Sequence, residues 1–178
     1  MTNAMQERAS LMRIVLFSSL LIALMTASAA AQNTTKVAEN RDWAVYVHEG
    51  EDGNKICFAA SEPTDSSPND PDRSGVYFYV TNWVNDGIKN ELSVKNGYEF
   101  KEGTQPTVNV GGTEFAMFTR GDNAFLRDPE EEKRLLQLMK AGAKMTVSGE
   151  TADGNQTTDT YSLFGLTASV NRLNEECP

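Results

Sequence analysis

Apolar and polar positions alternate along most of this chain, and the alternation changes character at Val76. Val76, Phe78 and Val80 fall on one face of an extended run, and Tyr77, Tyr79 and Trp83 on the other. A segment that is apolar or aromatic on both faces predicts a central strand with cover on each side. Asn85-Asp86-Gly87 supplies the reversal, because Gly reaches positive φ without a Cβ clash. The chain returns with Ile88, Asn90, Leu92 and Val94 on one side and Lys89, Glu91, Ser93 and Lys95 on the other. That clean alternation predicts a strand with one packed face and one wet face.

The same period recurs around this hairpin. Trp43, Val45 and Val47 alternate with Ala44, Tyr46 and His48, and Ile56 to Ala60 returns after a turn at Glu49 to Asn54. Gly111-Gly112 joins Val108-Asn109-Val110 to the run from Thr113 to Phe118, and Asp153-Gly154-Asn155 joins Lys144–Ser148 to Thr158–Leu163. Pro63 to Gly75, rich in Pro, Ser and Asp, has no period and reads as a loop. Gln32 to Asn40 is polar and reads as frayed.

Two stretches switch to helical spacing. Asp128 is placed to cap a helix, Pro129 suits its first position, Glu131 stands at capping-box spacing, and Glu130, Glu131 and Glu132 lie at the positive dipole end. Leu135, Leu136 and Met139 then recur on one side before Lys140 and Gly142. In the tail, Leu166, Val170, Leu173 and Cys177 share one helical face. Seven or eight short strands with helices over about 128–140 and 165–176 predict an all-β sandwich, with a closed barrel as the competing arrangement.

Length and composition place this domain in an exported protein. The chain has 178 residues, the size of one domain. Arg8 and Arg13 precede an apolar core from Ile14 to Met25, and small residues follow up to Ala31. This pattern predicts a signal peptide over 1–31, cleaved between Ala31 and Gln32, a flexible segment over 32–42 and a folded domain over 43–178. The apolar core is too short to span a bilayer, so no stable membrane insertion is expected after cleavage. Removing Arg8, Arg13 and Glu7 leaves 14 basic and 24 acidic side chains, a formal charge of −10. An acidic domain argues against nucleic acid as a partner. The two cysteines, Cys57 and Cys177, suggest one disulfide in an oxidising compartment. Their wide separation favours a structural over a redox-active pair, and the tail helix would carry Cys177 towards the strand holding Cys57.

Candidate chemistry is sparse. His48 is the only histidine, and no G-x-S-x-G turn accompanies it, so a nucleophilic triad lacks its parts and a solvated His48 is preferred. Asp70-Pro71-Asp72-Arg73-Ser74-Gly75 matches the first half of a calcium loop, with Asp70, Asp72 and Ser74 as oxygen ligands. Position twelve is Thr81, however, which offers no bidentate carboxylate, and a plain surface loop is preferred; no metal and no cofactor is expected. The three glutamates from 130 are explained by their place at a helix start. Asn33-Thr34-Thr35 and Asn155-Gln156-Thr157 fit the glycosylation sequon, which matters only in a eukaryotic secretory route. Tyr77, Tyr79 and Trp83 are a binding surface if nothing covers them. Core is the preferred reading, since the 128–140 helix needs an apolar surface to cover.

Trp43-Ala44-Val45-Tyr46, Lys55-Ile56-Cys57-Phe58-Ala59-Ala60-Ser61, Val76-Tyr77-Phe78-Tyr79-Val80, Gly87 to Val94, Gly97-Tyr98-Glu99-Phe100, Thr158 to Leu163 and the closing Cys177 follow one another along the chain. In this order and spacing they resemble the invasion-associated locus B family of exported alphaproteobacterial proteins. The resemblance implies an immunoglobulin-like β-sandwich, periplasmic or otherwise associated with the cell envelope. It implies adhesion or invasion in a pathogen and envelope maintenance in a free-living cell. No catalytic residues are established for such proteins, so the likeness transfers none; the cysteine pair is the one chemical feature it carries over. The expected function is non-enzymatic binding of a protein or envelope component. The alternatives are a carboxylate-dependent hydrolase of envelope polymers and a small-ligand or calcium carrier. Partner identity and oligomeric state are not readable from these residues.

Overall fold

The structure, a computed structural model, describes residues 33–178; the predicted signal peptide and its cleavage site at Ala31 and Gln32 lie outside them. The chain runs β1 (Asn33–Asn40), β2 (Trp43–Glu49), β3 (Lys55–Ser61), β4 (Asp65–Ser67), β5 (Tyr77–Trp83) and β6 (Ile88–Lys95). It continues through β7 (Thr107–Val110), β8 (Thr113–Ala116), β9 (Phe118–Arg120), β10 (Asn123–Phe125) and α1 (Pro129–Ala141). It ends with β11 (Lys144–Glu150), β12 (Gln156–Ser162) and α2 (Leu166–Glu176). A seven-stranded sheet, ordered β1-β2-β3-β5-β6-β10-β9, faces a five-stranded one, ordered β4-β12-β11-β7-β8. All strand pairs are antiparallel, so the expected sandwich is what forms.

β5 holds the centre of the larger sheet, between β3 and β6. Phe78 and Val80 point into the sandwich and are buried with Trp43, Val45, Ala59, Leu92 and Val94. The second sheet adds Val108, Phe115, Met145, Val147 and Tyr161 to the same core. Phe78 meets Trp43 and Tyr161 edge-on, at centroid distances of 6.3 and 6.0 Å.

The β5–β6 hairpin departs from the simple alternation at one point. Its register shifts between Thr81 and Trp83, and Asn90 adopts φ 57°, a conformation Asn tolerates better than most residues. Asn82 Oδ1 accepts the Asn90 backbone N–H at 2.8 Å, which holds the irregularity in place. One extra residue reverses the facing of everything beyond it. Ile88, expected inside, therefore lies opposite Trp83 on the outer face and is 44% exposed.

Three polar segments are more ordered than their sequence suggests. Residues 33–40 do not fray: they pair with β2 along their whole length, from Asn33 opposite Glu49 to Asn40 opposite Trp43. Val37 and Ala38 pack against the core. Their polarity is that of an edge strand with a wet side, and the bulge at Lys36/Ala38 blunts that edge. The aperiodic stretch from 63 to 75 contains β4, which crosses to the second sheet and pairs with β12. Residues 118–125 form two further short strands beside β6.

The second sheet has fewer strands than the first, and the helices cover the remaining inner surface. α1 starts as predicted: Asp128 accepts the Glu130 N–H at 2.9 Å, Pro129 opens the helix and Leu135, Leu136 and Met139 are buried. Glu131 stays exposed while Glu132 turns inward. Its carboxylate accepts the Leu92 N–H at 2.6 Å, standing in for a strand beyond the end of β10. α2 lies on β1, β2, β3 and β5 and buries Leu166, Ser169, Val170 and Leu173. Gly165 is obligatory at its start, because φ is 98° and a Cβ would sit 1.8 Å from Asn40 O. Beyond its end, Cys177 is disulfide-bonded to Cys57 of β3, and both are buried. Lys55 Nζ donates to Glu176 O at 2.8 Å, and Asn82 Nδ2 donates to Cys177 O at 2.9 Å.

Two predictions follow from how the helices dock. Burial raises the Glu132 pKa above 4.5, the Leu92 N–H opposes that shift, and the charge of Glu91 adds to it. A carboxyl whose folded pKa is raised contributes stability that is complete below the unfolded value and lost as pH rises through the folded one. Chemical denaturation of Glu132→Gln against the parent should show the variant gaining relative stability from acid to neutral pH; a pH-independent difference contradicts this. The disulfide closes 120 residues of sequence separation, for which chain entropy gives ~4–5 kcal/mol as an upper figure. Replacing Cys57 and Cys177 together by Ala should lower unfolding free energy by a large part of that. An unchanged denaturation midpoint would contradict the assignment.

Candidate functional site

The predicted site residues fall into three places: the sulfur bridge, the 63–75 segment and the outer face of the larger sheet. The bridge offers no redox chemistry in the folded state, since neither sulfur is accessible to an attacking thiolate.

The 63–75 segment, a loop by its lack of period, is an anchored crossing between the sheets. Asp70 Oδ1 accepts the Asp72 N–H at 3.0 Å and Asp70 O accepts the Arg73 N–H at 3.2 Å, so this acidic stretch is a tight turn. Among the described residues no group of three His, Cys, Asp or Glu side chains could hold a metal ion. Asp70, Asp72 and Ser74 are exposed, while Arg73 between them turns into the sandwich. Its Nη1 and Nη2 donate to Asp159 Oδ1 and Oδ2 at 2.8 and 2.6 Å, and its Nε donates to Asn96 O at 2.7 Å. Ser66 Oγ adds a bond to Asp159 Oδ1 at 2.7 Å. The guanidinium also lies 4.9 Å from the centre of the Tyr98 ring. Tyr98 Oη in turn bonds Asn96 Nδ2 at 2.6 Å and Thr157 Oγ1. Side-chain exposure is 7% for Arg73 and 0% for Asp159, so this ion pair is desolvated and held by surrounding donors and acceptors.

The pair was not recognised in the sequence, although a signal for it exists. Thr157, Asp159 and Tyr161 alternate inward on β12, and a carboxylate at an inward position needs a partner. The partner sits in the stretch with the least periodicity, where nothing marks Arg73 as buried. Asp159, with both oxygens bound by Arg73, has a structural role.

Two further candidates are held by local partners. His48 Nδ1 lies 2.8 Å from Thr34 Oγ1 across the β1–β2 pair. Glu130 pairs with Lys133 at 2.7 Å on an exposed helix turn. A groove of about 520 Å³ at the end of α1, lined by Val110, Gly111, Leu138, Gly142 and Lys144, carries no carboxylate.

Tyr77, Tyr79 and Trp83 lie on the outer face and are only partly buried. The expected cover by the 128–140 helix does not occur, because α1 packs against β6, β7 and α2 instead. Their neighbours are aromatic as well. Tyr46 of β2 stacks on Phe58 of β3 at 5.1 Å and 18°. Phe58 meets Tyr79 at 5.9 Å, and Tyr79 meets Tyr77 at 5.7 Å. Further along, Phe118 and Phe125 are 5.7 Å apart. The small outward residues between these rings are almost inaccessible: Ala60 is 9%, Thr81 6% and Ser93 8% exposed. The large side chains therefore screen the strands between them, with Phe58 edge-on to Tyr79 at 75° and Tyr79 tilted at 36° to Tyr77. Burial pushes the Tyr79 hydroxyl up to about 12; beside Tyr77, the Glu62 carboxylate, then burial, raises that hydroxyl too. Both are neutral donors at physiological pH. Trp83 Nε1 donates to Glu91 at 3.0 Å.

A groove of about 390 Å³ opens beside this band, bordered by Tyr46 and Tyr77, by apolar Trp43 and Pro63 and by the charged Lys36, Glu39, Arg41, Asp42 and Glu62. Among the described residues no helix is long and apolar enough to cross a membrane.

A protein-family model described as invasion associated locus B (IalB) protein matches residues 43–174. No curated protein and no solved structure matches the chain.

The buried ion pair yields a directional test. Asp159→Ala leaves an unpartnered guanidinium in the core, which should cost ~3–5 kcal/mol. Replacing both partners, as in Arg73→Met with Asp159→Leu, should recover much of that loss in urea denaturation. A double variant as unstable as the single one contradicts the pairing.

Proposed function

We propose that this chain, which belongs to the invasion associated locus B family, is an exported, non-enzymatic binding module. The open aromatic face of the seven-stranded sheet is where it meets its partner, a protein or another component of the cell envelope. In a pathogen this contact serves adhesion or invasion; in a free-living cell it serves the envelope itself.

One observation carries this reading. The outer face concentrates Tyr46, Phe58, Tyr77, Tyr79 and Trp83 on adjacent strands, half-buried, with no element of the described chain over them. Tyr and Trp give large contact area for little side-chain entropy and dominate binding surfaces for that reason. The absence of a catalytic arrangement in the sequence, the use of both Asp159 oxygens in an ion pair and the inaccessible disulfide support a binding role over a chemical one. The signal-sequence pattern and the disulfide support an oxidising compartment.

The test is site-specific photo-crosslinking in cells that export the protein. A benzophenone amino acid at position 79 should give a discrete adduct, and the same group at Phe164, an exposed position elsewhere, should not. No adduct from position 79, or equal adducts from both, contradicts the reading.

A further inference from the structure

We propose that α2 is a redox-controlled latch. Its last turn lifts while the rest of the sandwich stays folded, admits a dithiol to the sulfur of Cys177, and is released from the sheet once the disulfide is broken. The outer aromatic face plays no part in this.

By its own sequence α2 is the weaker of the two helices. α1 has the Asp128 cap, Glu130, Glu131 and Glu132 in its first turn and Lys140 in its last. α2 starts at Gly165, which makes no side-chain capping bond, and has no acidic residue in its first turn and no basic one in its last. Glu175 and Glu176 stand instead at the negative end of its dipole, where carboxylates are unfavourable. Arg172 pairs with both and offsets part of this. A helix of eleven residues built this way is marginal on its own. It stays helical because Leu166, Val170 and Leu173 are packed against the sheet.

That packing stops short of the far end. Beyond Leu173 come Asn174, Glu175 and Glu176, none of them buried, before Cys177. Apart from the disulfide, side-chain hydrogen bonds tie this turn to the sheet. Lys55 Nζ donates to Glu176 O at 2.8 Å, and Asn82 Nδ2 donates to Cys177 O and to Asn174 Oδ1, each at 2.9 Å. Asn174 Nδ2 donates to Asn90 Oδ1 at 3.4 Å. A segment held by polar contacts rather than apolar burial opens locally at lower free energy than the core beneath it.

The two sulfurs differ once the turn lifts. With α2 docked, Cys57 and Cys177 are 0% and 1% exposed, and no thiolate reaches either. Cys57 lies mid-strand in β3, opposite Val47 of β2 and Asn82 of β5, and both ladders hold it there. Cys177 stands just beyond α2 and moves with its last turn. A thiolate attacks along the sulfur–sulfur axis, so reaching Cys57 means approaching from the side of β3, where the sheet stands. Reaching Cys177 means approaching from the side the lifted turn has vacated. The attacking thiolate bonds to Cys177 Sγ, the Cys57–Cys177 bond breaks, and its electron pair leaves on Cys57 Sγ, which takes up a proton. The second thiol of the dithiol then closes on the first and expels Cys177 as a thiolate, protonated in turn. The dithiol ends as a disulfide and the protein as two thiols, with α2 held by packing alone.

The experiment follows reduction of the disulfide-bonded protein by dithiothreitol in native buffer, with urea added in steps below the unfolding transition. Local opening exposes little surface, so the reduction rate should rise with urea on a slope well below that of equilibrium unfolding. Asn82→Ala and Lys55→Met should each speed reduction roughly three- to tenfold, the effect of one lost hydrogen bond, while Thr146→Ala on the other sheet leaves it unchanged. Lys55→Met keeps Asn82 in place and serves alone if Asn82→Ala disturbs the β5–β6 hairpin. With glutathione and an early acid quench, the first mixed disulfide should be on Cys177. The near-ultraviolet circular dichroism of the Trp43–Phe78–Tyr161 cluster should survive full reduction. A urea slope equal to that of equilibrium unfolding, a first adduct on Cys57, or rates indifferent to the variants overturns the proposal. So does loss of the aromatic signal on reduction, because the whole domain rather than α2 would then have opened.

Discussion

The inner surface of a seven-stranded sheet has to be covered, and five facing strands do not suffice. That mismatch organises the molecule. The second sheet covers part of the surface and α2 covers the stretch formed by β1, β2, β3 and β5. An eleven-residue helix has little stability alone, so α2 exists because Leu166, Val170 and Leu173 leave water, each burial contributing ~1.5–3 kcal/mol. Its position is fixed at both ends. Gly165 lets the chain pass against Asn40, and the Cys57–Cys177 bond fastens the far end to β3. Asn82 ties that far end to the β5–β6 irregularity, receiving the Asn90 N–H and donating to Asn174 and Cys177.

The Arg73–Asp159 pair performs a related task elsewhere in the sandwich. The chain leaves the larger sheet after β3, pairs briefly with β12 as β4 and returns as β5. Buried charge is seldom the most stable filling for a core, but here it pins an otherwise featureless crossing to a particular strand. With the inner surface occupied by core, helix and ion pair, the aromatic residues of β2, β3 and β5 that point outward remain available for function. The same strands therefore bury one face in the core and leave a half-exposed aromatic face on the other.

How much of this was legible in the sequence depended on whether period or partner decided the outcome. The central place of β5, the Asp128 cap of α1 and the tail helix follow from local pattern, the 57–177 bridge from the cysteine pair and its compartment, and all are present. Ile88 was misplaced because a single bulge at Asn82 and Asn90 overrides an otherwise perfect alternation. Residues 33–40 looked frayed because an edge strand takes its order from the neighbour's backbone rather than from its own apolar side chains. Tyr77, Tyr79 and Trp83 were expected under a helix because alternation says which side chains share a face, not what lies over that face. Arg73 was invisible for a similar reason: its burial is a property of Asp159, eighty-six positions away.

Amide hydrogen exchange tests this account at its centre, comparing the disulfide-bonded protein with a Cys57→Ser, Cys177→Ser form. If α2 is the detachable part of the second layer, exchange should accelerate most in α2 and in β2, β3 and β5 beneath it. The β11–β12 ladder should keep its protection. Uniform acceleration across both sheets, or unchanged exchange in α2, would mean that the helix is not what covers that surface.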